Sequence, residues 1–396
     1  MTTAAGPGRT ALCPVCGGGA RALLSLSRQP IYQHPVPAGT RIPEPYTVDL
    51  SWVRCADCAH AWQSEFDEGL LETIYRSHYY TPAPDGIAVQ FRNDFLSAVE
   101  SFGLLSARTT LLEIGASDGD VLVEMKARTG ARNAYAFEPN KENAAVAGRR
   151  GLQVHDTFFG AESANKGLEP VDLVYSRHVI EHVFDFADFF TGIDATAAAD
   201  ADLILETPSL DHHGMRGSMS PFHVEHIHVF SLRSLATLAR RSGWVLARNV
   251  VTADGNLIAA FRRNGTQAAD AVDIAPPQLD GLQAAADSLG YRLRRLVHGR
   301  RLIFWGAGSA GVGLARMIDR EPDYWTDGND DKIGKKFPGL SSDIVSPDEA
   351  FSRARNDGAG EPLLIIASSF AREILPRVRK MGWDAETVDM TGSRLQ

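Results

Sequence analysis

Apolar and polar positions along the chain form two alternating blocks, separated by a polar stretch. "SARTTLLEIGASDGD" predicts a strand running into a glycine turn, "VLVEMKART" a helix, and "NAYAFEPN" the next strand. "VDLVYS" and "ADLILETP" predict further strands, with helical patterns between them. "SLRSLATLARRSGW" predicts a helix with Ser231 as its N-cap and Gly243 just past its end. The first block closes with "GNLIAAFRRNG", near residue 264. "TQAADAVDIAPPQLD" has few large apolar residues and two adjacent prolines, and reads as a linker. The helical "LDGLQAAADSLGYRLRRLVHGR" follows, and a second α/β pattern starts at "RLIFWG" and continues through "EPLLIIASS". The segment before the first block is Pro-rich and is expected to be irregular. Three parts result: residues 1–85, an α/β domain over 86–265 and a second α/β domain over 280–396.

The 396 residues are too many for one typical core, which agrees with this division. With 44% hydrophobic and 22% charged residues the composition is that of a globular protein. A net charge of −9 leaves no electrostatic footprint for nucleic acid. No apolar run reaches the length needed to span a bilayer, and "MTTAAGPGRTAL" lacks the charged-then-apolar order of a signal peptide. A cytoplasmic protein is expected.

All four cysteines lie near the N-terminus, Cys13 and Cys16 in "CPVC" and Cys55 and Cys58 in "CADC". Two intervening residues let a tight turn present two thiolates to one tetrahedral zinc. A cytosolic chain with only these cysteines is not expected to pair them as disulfides. Four thiolates would make a closed, structural zinc site.

Two glycine turns carry different meanings. The first spans Glu113, Gly115, Ser117, Asp118 and Gly119 of "EIGASDG", where backbone N–H groups and a helix N-terminus face a bound ligand. At the end of the next strand, Glu138 and Pro139 of "AFEPN" supply a carboxylate suited to ribose hydroxyls. "VHDTFF" offers Asp156 to an adenine amino group, with Phe158 or Phe159 as a flanking face. His178 and His182 of "RHVIEHV" stand past a strand's carboxyl end, where ligands of open α/β sheets bind, and line the cofactor together with Glu181. The second turn, "WGAGSAG", is a full G-x-G-x-x-G with Asp327 near the ribose position. Close strand–helix packing is the favoured reason for these glycines, over a bound nucleotide.

The ordered first set resembles the class I S-adenosylmethionine-dependent methyltransferases. "CPVC…CADC", "EIGASDG", the "EH" of "HVEHIHVFS" and "WGAGSAG…KIGKKFPG" together resemble, over essentially the whole chain, the NDP-sugar C-methyltransferases of deoxysugar pathways. The resemblance implies a class I methyltransferase (Rossmann-like) domain, a second Rossmann-like α/β domain and a small N-terminal zinc-binding module. It also implies S-adenosyl-L-methionine as cofactor, structural Zn2+, and a sugar nucleotide seated between the central and C-terminal domains, in antibiotic-type natural-product biosynthesis. The chain would be a monomer or homodimer. The family usually reads Tyr-x-Glu-His where this chain has His223, with Glu225 and His226 matching. Val229 replaces a later aromatic, and Tyr79 and Tyr80 stand near an active-site tyrosine of the family, without its serine-rich continuation.

Methylating carbon needs a carbanion, and a base can take the acidified hydrogen beside a 4-keto group to leave an enolate. His226 is the candidate base, with Glu225 orienting a partner or holding hydroxyls and His223 donating to the ketone oxygen. His212, His213 and His228 are expected to be structural. An O- or N-methyltransferase acting on a sugar or another small intermediate stays open, because the same histidines could deprotonate a heteroatom. So does a nucleotide-sensing protein built on the second turn, although Glu138 and Asp156 speak against it. Imidazole and carboxylate are also proper metal ligands, although methyl transfer from a sulfonium needs no metal.

Overall fold

The structure is a computed structural model that describes residues 12–77, 87–105, 110–164, 167–263, 273–356, 360–368 and 371–396. Contacts divide the chain into two units, residues 1–24 with 51–280 and residues 25–50 with 281–396.

The first unit is built on a seven-stranded sheet. From one edge to the other its strands are Trp244–Val251, Asn256–Arg263, Ala197–Pro208, Val171–Arg177, Thr110–Ile114, Asn133–Phe137 and Gln153–His155. The last five are mutually parallel, and Asn256–Arg263 runs antiparallel to both of its neighbours. Every residue of Thr110–Ile114 is buried, as a central parallel strand covered on both faces requires. One face carries Leu112, Phe137, Phe189, Phe190 and Phe230, and the other carries Phe95, Leu111, Leu122, Met125 and Tyr175. In chain order the parallel strands stand third, second, first, fourth, fifth. The switch point therefore lies between Thr110–Ile114 and Val171–Arg177, where such sheets open a crevice for ligands.

Helix boundaries follow local chemistry. Ser231 caps Leu232–Arg241 in a capping box with Ser234, as expected from the sequence, and Gly243 beyond its end has φ +84°. Asn140 caps Lys141–Arg149, and Asp185 caps Phe186–Thr196.

The expectation of an irregular N-terminal segment is overturned. Ala20–Pro30 and Thr47–Cys55 are strands. Along the second, exposed Asp49 and Ser51 alternate with buried Leu50 and Trp52, a two-residue period that the surrounding prolines obscure. Ala61–Gln63 pairs antiparallel with Trp52–Arg54 on one side and with His228–Val229 on the other.

In the second unit five parallel strands lie in the order Ile344–Val345, Tyr324–Thr326, Arg301–Trp305, Pro362–Ile366, Thr387–Asp389. This is the second Rossmann-like sheet that the pattern predicts. Lys335–Lys336 pairs with Val36–Pro37, so residues 25–50 take part in this unit. Among the described residues no helix is long and apolar enough to cross a membrane.

Packing accounts for two glycines of "WGAGSAG". A Cβ on Gly311 would stand 2.2 Å from the Gly306 carbonyl oxygen, and one on Gly306 2.4 Å from that of Ala367, whereas Gly308 faces open space. Gly311→Ala is therefore expected to cost about 1–3 kcal/mol of stability through overpacking, despite alanine's better helix propensity. Gly308→Ala should stay within about 0.5 kcal/mol. Urea unfolding of the two variants checks this, and equal effects would refute the packing account.

Glu113 is a buried carboxyl inside the core, accepting a hydrogen bond from Tyr175 Oη at 3.2 Å. Burial pushes its pKa up to about 8, against the pull of Arg177. The folded chain thus holds an extra proton from the ordinary carboxyl range up to about 8, and stability falls as pH rises through that window. Glu113→Gln should gain stability relative to the parent between about pH 5 and pH 8. Parallel pH slopes in urea melts of the two proteins would contradict this.

Candidate active site

The two cysteine turns converge. Cys13 Sγ lies 3.6 Å from Cys58 Sγ, and Cys16 Sγ lies 3.4 Å from Cys55 Sγ, too far for disulfides. The four sulfurs lie within 4.8 Å of one another. Backbone N–H groups of Gly18, Asp57 and Cys58 point at the sulfurs of Cys16 and Cys55 at 3.3–3.5 Å. Such donors favour thiolates. A Cβ on Gly18 would meet Asp57 Oδ2 at 2.3 Å and Cys55 Sγ at 2.9 Å, so the close approach of the two turns excludes a side chain there. The set fits a tetrahedral thiolate-bound ion.

Across the switch point, the first glycine turn is shaped by Gly115 (φ +74°), Ser117 (φ +49°) and Gly119 (φ +79°). A Cβ on Gly119 would strike Leu152 Cδ1 at 2.4 Å, which is why the turn needs glycine where the helix Asp120–Thr129 begins. Glu138 anchors the turn, accepting from Ser117 N–H and from Asn140 N–H, each at 2.8 Å. Burial raises its pKa, opposed by these two N–H groups. Beside it Ser117 Oγ is buried without a hydrogen-bond partner, an orphan that a bound ligand can satisfy. Asp118 reaches Arg150 at 3.0 Å. Pro139 is half-buried and Asp156 exposed, at the ends of their strands. Phe159 packs edge-on against Phe137 and Phe189. Glu113, by contrast, lies beneath the turn on Tyr175 rather than in the crevice.

The histidines form a second cluster at the end of Val171–Arg177. His178, at φ +52°, donates its N–H to the Glu206 carbonyl at 2.9 Å, while its ring reaches Glu181 Oε1 at 3.4 Å and Glu206 Oε1 at 3.8 Å. Arg177 pairs with fully buried Glu206 at 2.5 Å and stacks over Phe95. The segment also brings His182 to within 5.0 Å, ring to ring, of His226. His182 Nδ1 lies 2.7 Å from the Glu225 carbonyl and His226 Nδ1 lies 2.9 Å from the Pro221 carbonyl. A carbonyl only accepts, so both rings carry their proton on Nδ1 and present a lone pair at Nε2. Burial, with the neighbouring histidines His223 and His182, holds the His226 pKa well below its ordinary value, so the ring is neutral at pH 7. His223 lies against it with ring centroids 3.7 Å apart, and burial raises Glu225 to about 7.

Gln63, which the sequence reading passed over, holds this loop. Its amide nitrogen reaches the carbonyls of His223, Val224 and His226 at 3.2, 3.0 and 2.9 Å. His60 Nε2 meets His228 Nδ1 at 3.0 Å, and His228 Nε2 donates to the Val183 carbonyl at 3.1 Å, which fixes both as neutral, buried linkers. Glu181 was expected to line the cofactor, whereas Glu206 was legible only as a polar residue near the end of an apolar run. His213 is buried against Ser218, at 3.3 Å. Tyr79 and Tyr80 lie outside the described residues.

In the second unit Asp327 accepts from Ala307 N–H at 2.8 Å and pairs with Lys332 at 2.9 Å. Its carboxylate thus closes its own turn.

Comparison with known proteins agrees with this geometry. Residues 88–248 match the family described as methyltransferase domain, which covers the glycine turn, Glu138 and the histidine cluster. The chain is 28% identical over 303 residues to the C-methyltransferase NovU of Streptomyces niveus, spanning 66% of this chain and 70% of that one. Among solved structures, a methyltransferase from Aquifex aeolicus is 17% identical, covering 50% of this chain and all of its own, with a TM-score of 0.37. Geranyl diphosphate C-methyltransferase from Streptomyces coelicolor A3(2) is 14% identical, covering 44% of this chain and 76% of its own, with a TM-score of 0.34. These structural likenesses are too distant to bear on substrate or mechanism. With a class I fold, a methyltransferase domain over the site and a C-methyltransferase relative, the chain is an S-adenosylmethionine-dependent methyltransferase that resembles the C-methyltransferases.

Proposed function

We propose that the enzyme methylates a carbon of an NDP-4-keto-deoxysugar in a natural-product pathway, through an enolate formed by His226. One observation carries this reading. His226 is buried and neutral, with Nδ1–H tied to the Pro221 carbonyl and the basic Nε2 lone pair turned into the site. That is the tautomer a general base needs, held in place before substrate arrives. The relative's name, C-methyltransferase, supports carbon as the acceptor.

S-adenosylmethionine, when bound, supplies a methyl group on a sulfonium. Glu138 and the turn Gly115–Gly119 would hold its ribose and amino-acid ends, with Ser117 Oγ gaining the partner it lacks. His226 Nε2 takes the hydrogen beside the ketone, and the electron pair left behind delocalises onto the ketone oxygen. His223, half-buried beside His226, stands where a hydrogen-bond donor would stabilise that oxygen. Glu225, with a pKa near neutrality, would hold a substrate hydroxyl. The enolate carbon then meets the methyl group in line, a step governed by positioning.

In deuterated water with a 4-keto sugar nucleotide, the wild type should exchange the hydrogen beside the ketone, and His226→Asn should lose that exchange while still binding S-adenosylmethionine. Methyl transfer by the wild type without any exchange would sink the carbon reading in favour of oxygen or nitrogen transfer.

The four-cysteine cluster supports a structural zinc held by Cys13, Cys16, Cys55 and Cys58, and these side chains share one core with Trp62 of the strand that pairs with His228. Cys16→Ser should lower bound zinc below one equivalent by elemental analysis and lower the melting temperature. A metal-free wild type with an unchanged melting temperature would show that the cluster holds no structural ion.

A further inference from the structure

Glu181 is the unexplained polar group of the site. It is fully buried, and its carboxylate makes no well-formed hydrogen bond, with His178 Nδ1 off-line at 3.4 Å. Leaving a buried carboxylate in that state costs more than an ordinary hydrogen bond returns, so the protein retains it for some other reason. Its surroundings say which. His226 Nε2 lies 4.0 Å from Glu181 Oε1, and His178 Nδ1 lies 3.4 Å from the same oxygen. His226 carries its proton on Nδ1, so its Nε2 lone pair faces the carboxylate, and His182 brings a ring nitrogen into the same group, within 4.8 Å. Two acceptors, the His226 Nε2 and the carboxylate, face one another in a buried space, an arrangement that is relieved when a proton arrives between them.

We propose that Glu181 is the proton acceptor behind His226, taking from its Nε2 the proton that the imidazole removes from the substrate carbon. This rests on the reading of His226 as base. In the first step the C–H bond breaks, its electron pair stays with the substrate as enolate, and an N–H bond forms at Nε2. In the second step the N–H bond at Nε2 breaks and an O–H bond forms on the Glu181 carboxylate, 4.0 Å away in the resting site, while Nδ1–H stays on the Pro221 carbonyl. His226 is then neutral again, and the negative charge of Glu181 is discharged. Methyl transfer consumes the enolate and releases a neutral thioether. The one proton left over resides on Glu181 until solvent takes it, so no oxidant or reductant is involved. Glu181 acts through His226 and is a positioning residue, not one that touches substrate.

Other charges face this pair from each neighbouring element. His178 and His182 come from the same segment as Glu181. Glu206, on the strand Ala197–Pro208, lies 3.8 Å from His178 and is paired with Arg177. Asp94, on the helix Ile87–Ser101, feels the charge of Glu206. His223 and Glu225 belong to the loop that carries His226. The acidic groups favour a positive charge on the His178–Glu181–His226 line, and the histidines and Arg177 oppose it.

The test measures deuterium wash-in beside the ketone of a 4-keto sugar nucleotide, across pH, for wild type, Glu181→Gln, Glu181→Asp and His226→Asn. Glu181→Gln should bind S-adenosylmethionine as the wild type does, exchange at least tenfold more slowly with KM changed less than threefold, and show its acid limb moved to lower pH. That direction follows because removing a neighbouring carboxylate lowers the pKa of His226. Glu181→Asp should recover part of the rate, and it serves as the second variant should the glutamine protein fail to fold. Wild-type exchange in both Glu181 variants, with His226→Asn inactive, overturns the relay and leaves the base standing. Wild-type exchange in His226→Asn overturns the base itself. A second equivalent of bound metal, lost in Glu181→Gln, would also overturn the relay and make Glu181, His182 and His226 an ion site.

Discussion

The loop that carries His223, Glu225 and His226 hangs on one carboxamide. Gln63 comes from the short strand that follows the cysteine turns, and its single NH2 group reaches the carbonyls of His223, Val224 and His226 in the loop that also carries Glu225. Two hydrogens facing three acceptors must be shared, which ties the loop as a unit rather than at one point. The backbone repeats the tie, since Gln63 N–H donates to the Ile227 carbonyl at 2.8 Å. The tautomer of His226 depends on the Pro221 carbonyl, which belongs to the same loop.

Beneath the loop the unit places its charges in layers. Arg177 and Glu206 neutralise each other at the end of two neighbouring strands, in contact with Phe95. Glu113 is kept from charging by burial, against the pull of Arg177 and of the hydrogen bond from Tyr175. Glu181 is different, because burial works against its ionisation while His178 and His182 restore it, leaving its pKa below the ordinary value. A carboxylate held in its charged form therefore sits next to a neutral imidazole, and both are shielded from water. The strand at the switch point runs directly into the histidine cluster along residues 177–182.

Much of this could be read from the chain alone. Short, mostly apolar runs such as "TLLEI" and "VDLVY" announce buried parallel strands because their apolar residues fall on both faces. The cysteine spacing announced a converging set because thiolate geometry leaves few alternatives. Ala20–Pro30 and Thr47–Cys55 were hidden because half their side chains face solvent and prolines surround them. Gln63 was invisible for another reason: its meaning lies in carbonyls some 160 positions away, and backbone acceptors leave no trace in sequence. Glu181 was legible as a site residue but not as a partner of His226, since only the fold turns "IEH" toward Pro221 and its loop.

The excursion of residues 25–50 into the second unit bears on how the chain comes into being. Ile31, Tyr32 and Leu50 are buried side chains of this segment, yet the residues they are grouped with begin at Gly281. On the ribosome the segment emerges early and waits, apolar and unsatisfied, until nearly the whole protein has followed it. Such long-range closure slows folding and leaves a sticky intermediate. The first unit faces no such delay beyond Asp280, so order of synthesis favours a growing chain whose methyl-transfer half matures first while a tethered strand is held for its partner.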